Sequence, residues 1–443
     1  MDIYKIKVFI LIIFINILKK NQSYLMLDFF NEKNLSKINS STFFQEIYFN
    51  HLVTKLNIGI PNQILFLSLK LRLSTLSLTS TLSTFHQHIP KYKLNYSTTY
   101  HSDNFSEIIF FGFDEFRKGI KSKEQFEFPF NKKSNLNFIL ATDIISEESG
   151  IFGLKLEYDN KILGNFSTLK QLKDNKFISS YVFFFIFENL DISPLNYKGK
   201  LIIGKYPHEF NPKKYIKDNY YEIKTIYKFN FFNEFFEIKH FEIFYGDINN
   251  DKNDFTDEII TQIDFSKSYI LGTTKFKNFI RNEFNELYKD KCIEISEKYI
   301  YFICDKDIEI NKLKSIYIFY GNHNFTFELK PSDLFALYDN KLYYLINFYK
   351  QSESTIWSFG IIFLRKYLFV IDQDKKVIGY YDNKKNIYNN NQLYLKILLL
   401  FSFIIIIVLL YYFIHHLFFI KKRKIRANEL EDNIDYLPFN IKL

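Results

Sequence analysis

The chain is poor in the residues that define fibrous, proline-rich or disulfide-dense proteins. Its 443 residues include 13 glycines and 8 prolines, which excludes a collagen-like or proline-rich chain. There are two cysteines, and a chain of this length can bury a core without disulfide staples. The HExxH, P-loop, GxSxG and zinc-type Cys/His patterns are missing from the sequence, so we expect no cofactor and no metal.

The composition that is present indicates a large folded protein. Hydrophobic residues make up 47% and aromatic residues 20%, which excludes a disordered chain. The formal net charge is +9, but part of it lies in the basic clusters near the two ends. The remainder is too weak and too spread out to indicate a nucleic-acid partner.

Two apolar segments predict the cellular compartment. Residues 1–23 combine a basic start with a short apolar run, which is typical of a signal peptide or an uncleaved signal anchor. Residues 397–420 are long enough to cross a bilayer, and we prefer a transmembrane helix here to a buried core helix. Basic residues follow at once in the segment 421–443, which predicts a cytoplasmic tail. We therefore expect a single-pass protein of the secretory pathway or cell surface, with a luminal or extracellular ectodomain.

Two further features agree with a luminal or extracellular ectodomain. Glycosylation sequons beyond the signal segment predict a glycoprotein; they begin at Asn34, Asn39, Asn95, Asn104, Asn165 and Asn324. Cys292 and Cys304 form an even pair, which in an oxidising compartment predicts one disulfide closing a short loop. A redox or metal role for this pair has no supporting His or Cys nearby.

The ectodomain reads as mostly β, because short apolar or alternating runs recur between turn signals, among them 52–58 and 315–320. This pattern favours a large β sandwich or barrel assembly, with few long helical patterns, the best of them around 167–173 and 275–287. Two regions also share one layout, in which a strand leads into a tight loop and an apolar turn ending in glycine follows later. The two strands are 64–69 and 258–263, and the two glycines are Gly153 and Gly360.

Six segments in this order resemble motifs of the pepsin-like aspartic peptidase family. They are Asn57–Gln63, Tyr96–Tyr100, Gly150–Leu154, Gly199–Gly204, Ile263–Ser268 with Gly272, and Trp357–Asp372. The resemblance implies an all-β, two-lobed pepsin-like fold, with a first lobe at 45–205 and a second at 206–385. It also implies an extended cleft between the lobes, and it places Cys292 and Cys304 where many members have a second-lobe disulfide.

The departures from the family pattern fall on the residues that would carry the chemistry. Aspartic proteolysis needs two carboxylates that share one proton around a water. Counting from the first motif without gaps, Lys70 stands at the first catalytic aspartate, whereas Asp264 retains the second. Phe111 replaces the tyrosine of the flap. Further losses replace the threonines and glycines of the two catalytic loops; they are Leu71, Arg72, Phe265 and Ser266.

These losses predict a non-catalytic pseudoprotease that binds a peptide or protein partner in the interlobe cleft. If Lys70 and Asp264 keep the family positions, an ammonium faces the carboxylate and holds it ionised. The alternative for Lys70 is a solvated lysine at a strand end. Two other functions remain open: a divergent active endopeptidase of the secretory pathway, and an adhesion or scaffold protein that uses only the fold.

Overall fold

The computed structural model describes most of the ectodomain and the apolar helix near the C-terminus. The described residues are 24–31, 52–71, 73–81, 90–109, 116–144, 149–156, 164–188, 197–225, 236–246, 255–265, 267–297, 299–320, 326–350, 355–381 and, except for 404 and 407, 401–421. The chain divides into two units, residues 1–381 and 382–443. The predicted signal segment 1–23 and nearly all of the predicted tail 421–443 lie outside the described residues.

The first unit is strand-rich, as predicted. Its described strands are β1 Leu25–Asn31, β2 Leu52–Ile58, β3 Gln63–Lys70, β4 Leu76–Thr79, β5 His101–Ile109, β6 Phe116–Phe128, β7 Lys132–Ile144, β8 Gly150–Gly153, β9 Val182–Phe187, β10 Lys198–Ile203, β11 Tyr220–Lys224, β12 Phe236–Gly246, β13 Phe255–Ile263, β14 Ile270–Leu271, β15 Cys292–Ser296, β16 Tyr299–Asp305, β17 Ser315–Tyr320, β18 Thr326–Leu329, β19 Phe335–Tyr338, β20 Lys341–Tyr344, β21 Ile346–Tyr349, β22 Ile356–Phe359, β23 Phe369–Asp372 and β24 Val377–Tyr381.

Helices are few by comparison in the described part of the chain. The described α-helices of the first unit are α1 Thr168–Asp174, α2 Pro207–Phe210, α3 Thr274–Tyr288 and α4 Ile361–Lys366. Helix α3 is amphipathic and buries residues spaced by four, among them Phe276, Ile280 and Phe284. Thr273 caps its start, since the hydroxyl accepts a hydrogen bond from the backbone N–H of Phe276.

The described strands form two sheets. The first has the spatial order β11-β24-β23-β9-β10-β1-β2-β3-β8-β4-β7-β6-β5, and the second has the order β18-β17-β12-β13-β22-β14-β21-β16-β20-β19, with β15 beside β16. Strands β11, β23 and β24 come from the second half of the chain, yet they extend the first sheet. One sheet therefore joins the two halves of the ectodomain, and the predicted lobe bounds 45–205 and 206–385 remain a prediction.

Both halves contain the repeat that the sequence indicates. In the first half, β3 pairs in parallel with β8, which pairs antiparallel with β4. In the second half, β13 pairs in parallel with β22, which pairs antiparallel with β14. The loop that follows β3 in the first half, and the loop that follows β13 in the second, thus each lie beside an apolar turn ending in glycine. These two loops are the places where the family motifs put catalytic residues.

Candidate functional site

Lys70 is the last residue of β3 and lies in the interior of the protein. It pairs in parallel register with Gly153 of β8, and its carbonyl accepts a hydrogen bond from the N–H of Leu154 at 2.8 Å. The residue is only 4% exposed. The alternative interpretation of Lys70 as a solvated lysine at a strand end is therefore wrong. A buried ammonium requires compensating polar contacts, because desolvation penalises an uncompensated charge.

Asp264 occupies the corresponding position in the second half. It directly follows β13, whose last residue Ile263 pairs with Phe359, and its N–H donates to the Phe359 carbonyl at 3.0 Å. Gly360 directly follows β22, so the position of Asp264 relative to Gly360 corresponds to that of Lys70 relative to Gly153. The topology thus supports the gapless alignment that equates Lys70 with Asp264. Asp264 is 1% exposed.

A second lysine, which the sequence analysis did not single out, forms an ion pair with Asp264. The Nζ atom of Lys267 lies 2.8 Å from Oδ2 of Asp264, and it lies 3.3 Å from the hydroxyl of Ser358. The Lys267 side chain is only 12% exposed. The signal available in the sequence was a lysine three residues after the aspartate in a tight loop. That Lys70 also faces Asp264 remains a prediction.

The backbone of the loop fixes this ion pair in place. The N–H of Lys267 donates to the carbonyl of Asp264 at 3.2 Å, and the carbonyl of Lys267 accepts from Ile361 at 2.7 Å. A nearby positive charge favours the ionised carboxylate. An ionised carboxylate accepts hydrogen bonds but has no proton to donate. The loop thus holds the Lys267 side chain within ion-pair distance of Asp264.

Apolar contacts surround the two loops. Leu71 and Phe265, which replace the loop threonines of the family pattern, are both buried. The ring of Phe265 packs on Phe185 of β9 with centroids 4.5 Å apart. This contact joins the Asp264 loop to the first sheet. Arg72, Ser266 and the predicted flap residue Phe111 lie outside the described residues.

Gly153 and Gly360, the two glycines of the repeated layout, allow close packing of the backbone around them. A Cβ atom on Gly360 would lie 2.0 Å from the carbonyl oxygen of Tyr269, and one on Gly153 would lie 2.5 Å from that of Leu73. Neither distance is tolerable, so only glycine fits without displacing the backbone. Each catalytic-type loop is thus held against its neighbouring turn.

The predicted disulfide is confirmed. Cys292 and Cys304 are bonded to each other and lie directly opposite on the antiparallel strands β15 and β16. Both cysteines are buried. The bond therefore closes a short hairpin in the second half of the ectodomain. Among the described residues, no group of His, Cys, Asp and Glu is arranged to hold a metal ion.

An apolar helix lies near the C-terminus, where the sequence predicts a membrane span at 397–420. It runs from Phe401 to Lys421, and its 21 residues are long and apolar enough to cross a bilayer. None of its most apolar window is buried within the protein. Lys421 at its end is the first of the cations that follow the apolar segment.

Comparison with known proteins agrees with the site geometry. A search of curated proteins finds no match to this chain. The family model described as eukaryotic aspartyl protease matches residues 52–382, which span both repeated halves and all six family-like segments. With its two equivalent loops and pepsin-like strand-rich domain, the chain belongs to the eukaryotic aspartyl protease family.

Proposed function

We propose that this protein is a membrane-anchored pseudoprotease, which binds an extended peptide or protein segment without cleaving it. The observation that carries the proposal is the buried ion pair between Asp264 and Lys267, with Lys70 at the equivalent position of the other loop. The family domain supplies the scaffold, and the chemistry of these three residues supplies the argument against proteolysis.

Both catalytic roles of the aspartic dyad are unfilled by these side chains. One carboxylate must act as a base towards water, while the other, protonated, must polarise the scissile carbonyl. Lys70 has no carboxylate, so the first loop cannot supply one of the two carboxylates that the dyad requires. Asp264 is held in the ionised form by Lys267 and has no proton to offer the carbonyl.

The packing around the site supports a binding role for the scaffold. The loops keep their buried backbone hydrogen bonds, and Gly153 and Gly360 keep the close turns beside them. A two-lobed pepsin-like domain offers an extended groove, and an extended peptide can be held there through its main chain. Loss of the dyad therefore need not remove the ability to hold a strand-like segment.

We also propose a luminal or extracellular ectodomain. The apolar helix Phe401–Lys421 and the cations after Ile420 support this orientation, because positive charge tends to remain cytoplasmic. Protease treatment of sealed vesicles should remove the short C-terminal tail and spare the ectodomain. Digestion of the ectodomain with protection of the tail would show the opposite orientation.

Binding without cleavage can be tested with the full-length chain in detergent. The protein is incubated with a library of extended peptides, washed, and the retained peptides are identified by mass spectrometry. We expect selected peptides to be retained with intact sequences. Retained peptides that are cut at one bond would support the divergent endopeptidase instead, and failure to retain any peptide would favour an adhesion or scaffold role.

A further inference from the structure

Three large apolar side chains are exposed in two neighbouring segments: one in the turn between β2 and β3, one at the start of β3, and one in the 3-10 turn Leu94–Tyr96. Tyr96 is 64% exposed, Ile64 49% and Ile60 42%. We refer to these three residues as the Tyr96 patch. Isolated exposed apolar residues are common, but several on one structural corner mark a surface that another group covers.

Hydrogen bonds tie the two segments of the patch together. The N–H of Ile60 donates to the hydroxyl of Ser97 at 3.1 Å, and its carbonyl accepts from the N–H of Thr98 at 2.8 Å. The side chain of Gln63 bonds both the carbonyl and the N–H of Lys93, at 3.0 and 2.8 Å. The patch is therefore a fixed surface, since hydrogen bonds hold its two segments on each side of Tyr96.

A glycosylation sequon lies within this surface. Asn95, Tyr96 and Ser97 form the acceptor sequence, and Asn95 is exposed and directly precedes the exposed Tyr96 in the chain. We propose that Asn95 carries an N-linked glycan whose first sugars cover the Tyr96 patch. This inference rests on the luminal or extracellular orientation proposed above. The apolar faces of pyranose rings pack well on aromatic and aliphatic side chains, so the attached sugar matches the chemistry of the patch.

The modification is a balanced group transfer. The Asn95 amide nitrogen forms a bond to C1 of the first sugar of a lipid-linked oligosaccharide pyrophosphate. The bond between C1 and the phosphate oxygen breaks, the lipid pyrophosphate leaves with the bonding electrons, and the amide loses one proton. The oligosaccharide donor is the only co-reactant.

A second described sequon provides the matched comparison. Asn165 is also exposed, and it is followed by Phe166 and Ser167. Here the aromatic ring is buried, at 7% exposure, so a glycan at Asn165 would have no comparable apolar ring to cover. Both sites can report whether the ectodomain enters the lumen, but only Asn95 is predicted to shield apolar surface.

The test uses the full-length chain expressed in a eukaryotic secretory host. Wild type, Asn95→Gln and Asn165→Gln are compared by gel mobility before and after removal of N-glycans with an amidase. Asn95→Gln is preferred to a change at Ser97, because the Ser97 hydroxyl accepts the hydrogen bond from Ile60. The purified full-length variants are then placed in lipid nanodiscs, which leave the ectodomain accessible, and binding of a dye that fluoresces on apolar protein surface is compared after subtracting the signal of empty nanodiscs.

We expect Asn95→Gln to migrate one glycan faster than wild type and to bind more dye. Adding Tyr96→Ser to Asn95→Gln should reverse the gain in dye binding, and Asn165→Gln should show no gain. If Asn95→Gln migrates like wild type while the amidase still shifts both chains, Asn95 carries no glycan and this inference is overturned. The proposed orientation would then stand, because other sites are glycosylated. A wild-type chain that the amidase does not shift would overturn both, and a mobility change without a dye response would overturn the covering role.

Discussion

Removal of the Lys267 ammonium should reveal how strongly it compensates Asp264. Lys267→Met keeps the length and apolar stem of the side chain but leaves the carboxylate, 1% exposed, without its partner at 2.8 Å. Breaking a buried pair from one side typically costs about 3–5 kcal/mol. We expect the loss of unfolding free energy in Lys267→Met and in Asp264→Asn to lie near the lower end of this range, because the Lys267 side chain retains 12% exposure.

The double substitution should recover much of this loss, since replacing both partners of a buried pair is often nearly neutral. Unfolding of the full-length chain by urea can be followed through Trp357, the single tryptophan, which is buried next to Ser358. A double-mutant cycle then isolates the coupling energy. The exposed pair Lys291–Asp307, also 2.8 Å apart, is the control and should show far weaker coupling. Small and additive effects at Asp264 and Lys267 would refute the argument that the pair holds the carboxylate ionised.

Three further outcomes are expected. Burial lowers the pKa of His208, whose Nδ1 lies 2.6 Å from the Tyr381 hydroxyl. The unfolded chain therefore binds a proton at this residue more readily than the folded chain, so the melting temperature should fall as pH drops below about 6.5. His208→Gln should flatten this dependence. Reduction of the Cys292–Cys304 disulfide should cost about 3 kcal/mol in the free energy of urea unfolding, because the bond restricts the unfolded chain across a sequence separation of 12 residues. Gly360→Ala should lower that free energy by at least about 1–3 kcal/mol, because the new methyl group meets a backbone carbonyl at 2.0 Å.

Strand periodicity in the sequence predicted much of the fold. The run 52–58 buries Leu52, Leu56 and Ile58 while Lys55 points to solvent, and the structure places a strand at the same bounds. The run 315–320 likewise forms a strand at its predicted bounds. In both places alternation matches the two faces of a sheet, so local pattern and tertiary burial favour the same structure.

Other strands could not be recognised from their own residues. Strand β1, Leu25–Asn31, was not predicted, although it lies between β10 and β2 in the first sheet. Its place depends on pairing with residues far along the chain, and its position after an apolar leader-like segment obscures its pattern. The long strand β7, Lys132–Ile144, forms a hairpin with β6, but it begins with polar residues and therefore gives a weak local signal.

In the candidate site, too, the sequence predicts some features, and others depend on the folded structure. Counting between motifs located Lys70 and Asp264, because the repeated strand and glycine turn fix both positions along the chain. The count could not show that Lys70 is buried, or that Lys267 turns back towards Asp264 within its own loop. Those facts depend on the path of the loop backbone and on the packing of Ser358, neither of which leaves a pattern in sequence spacing.

The most direct measurement for the central proposal is cleavage of denatured protein and of a broad peptide library by the purified full-length chain. Reactions run from pH 3 to pH 7, beside an Asp264→Ala variant prepared in the same way. The proposed pseudoprotease predicts no difference between the two preparations at any pH, since neither contains a functional dyad. Pepstatin-sensitive cleavage by the wild-type chain that disappears in Asp264→Ala would contradict it.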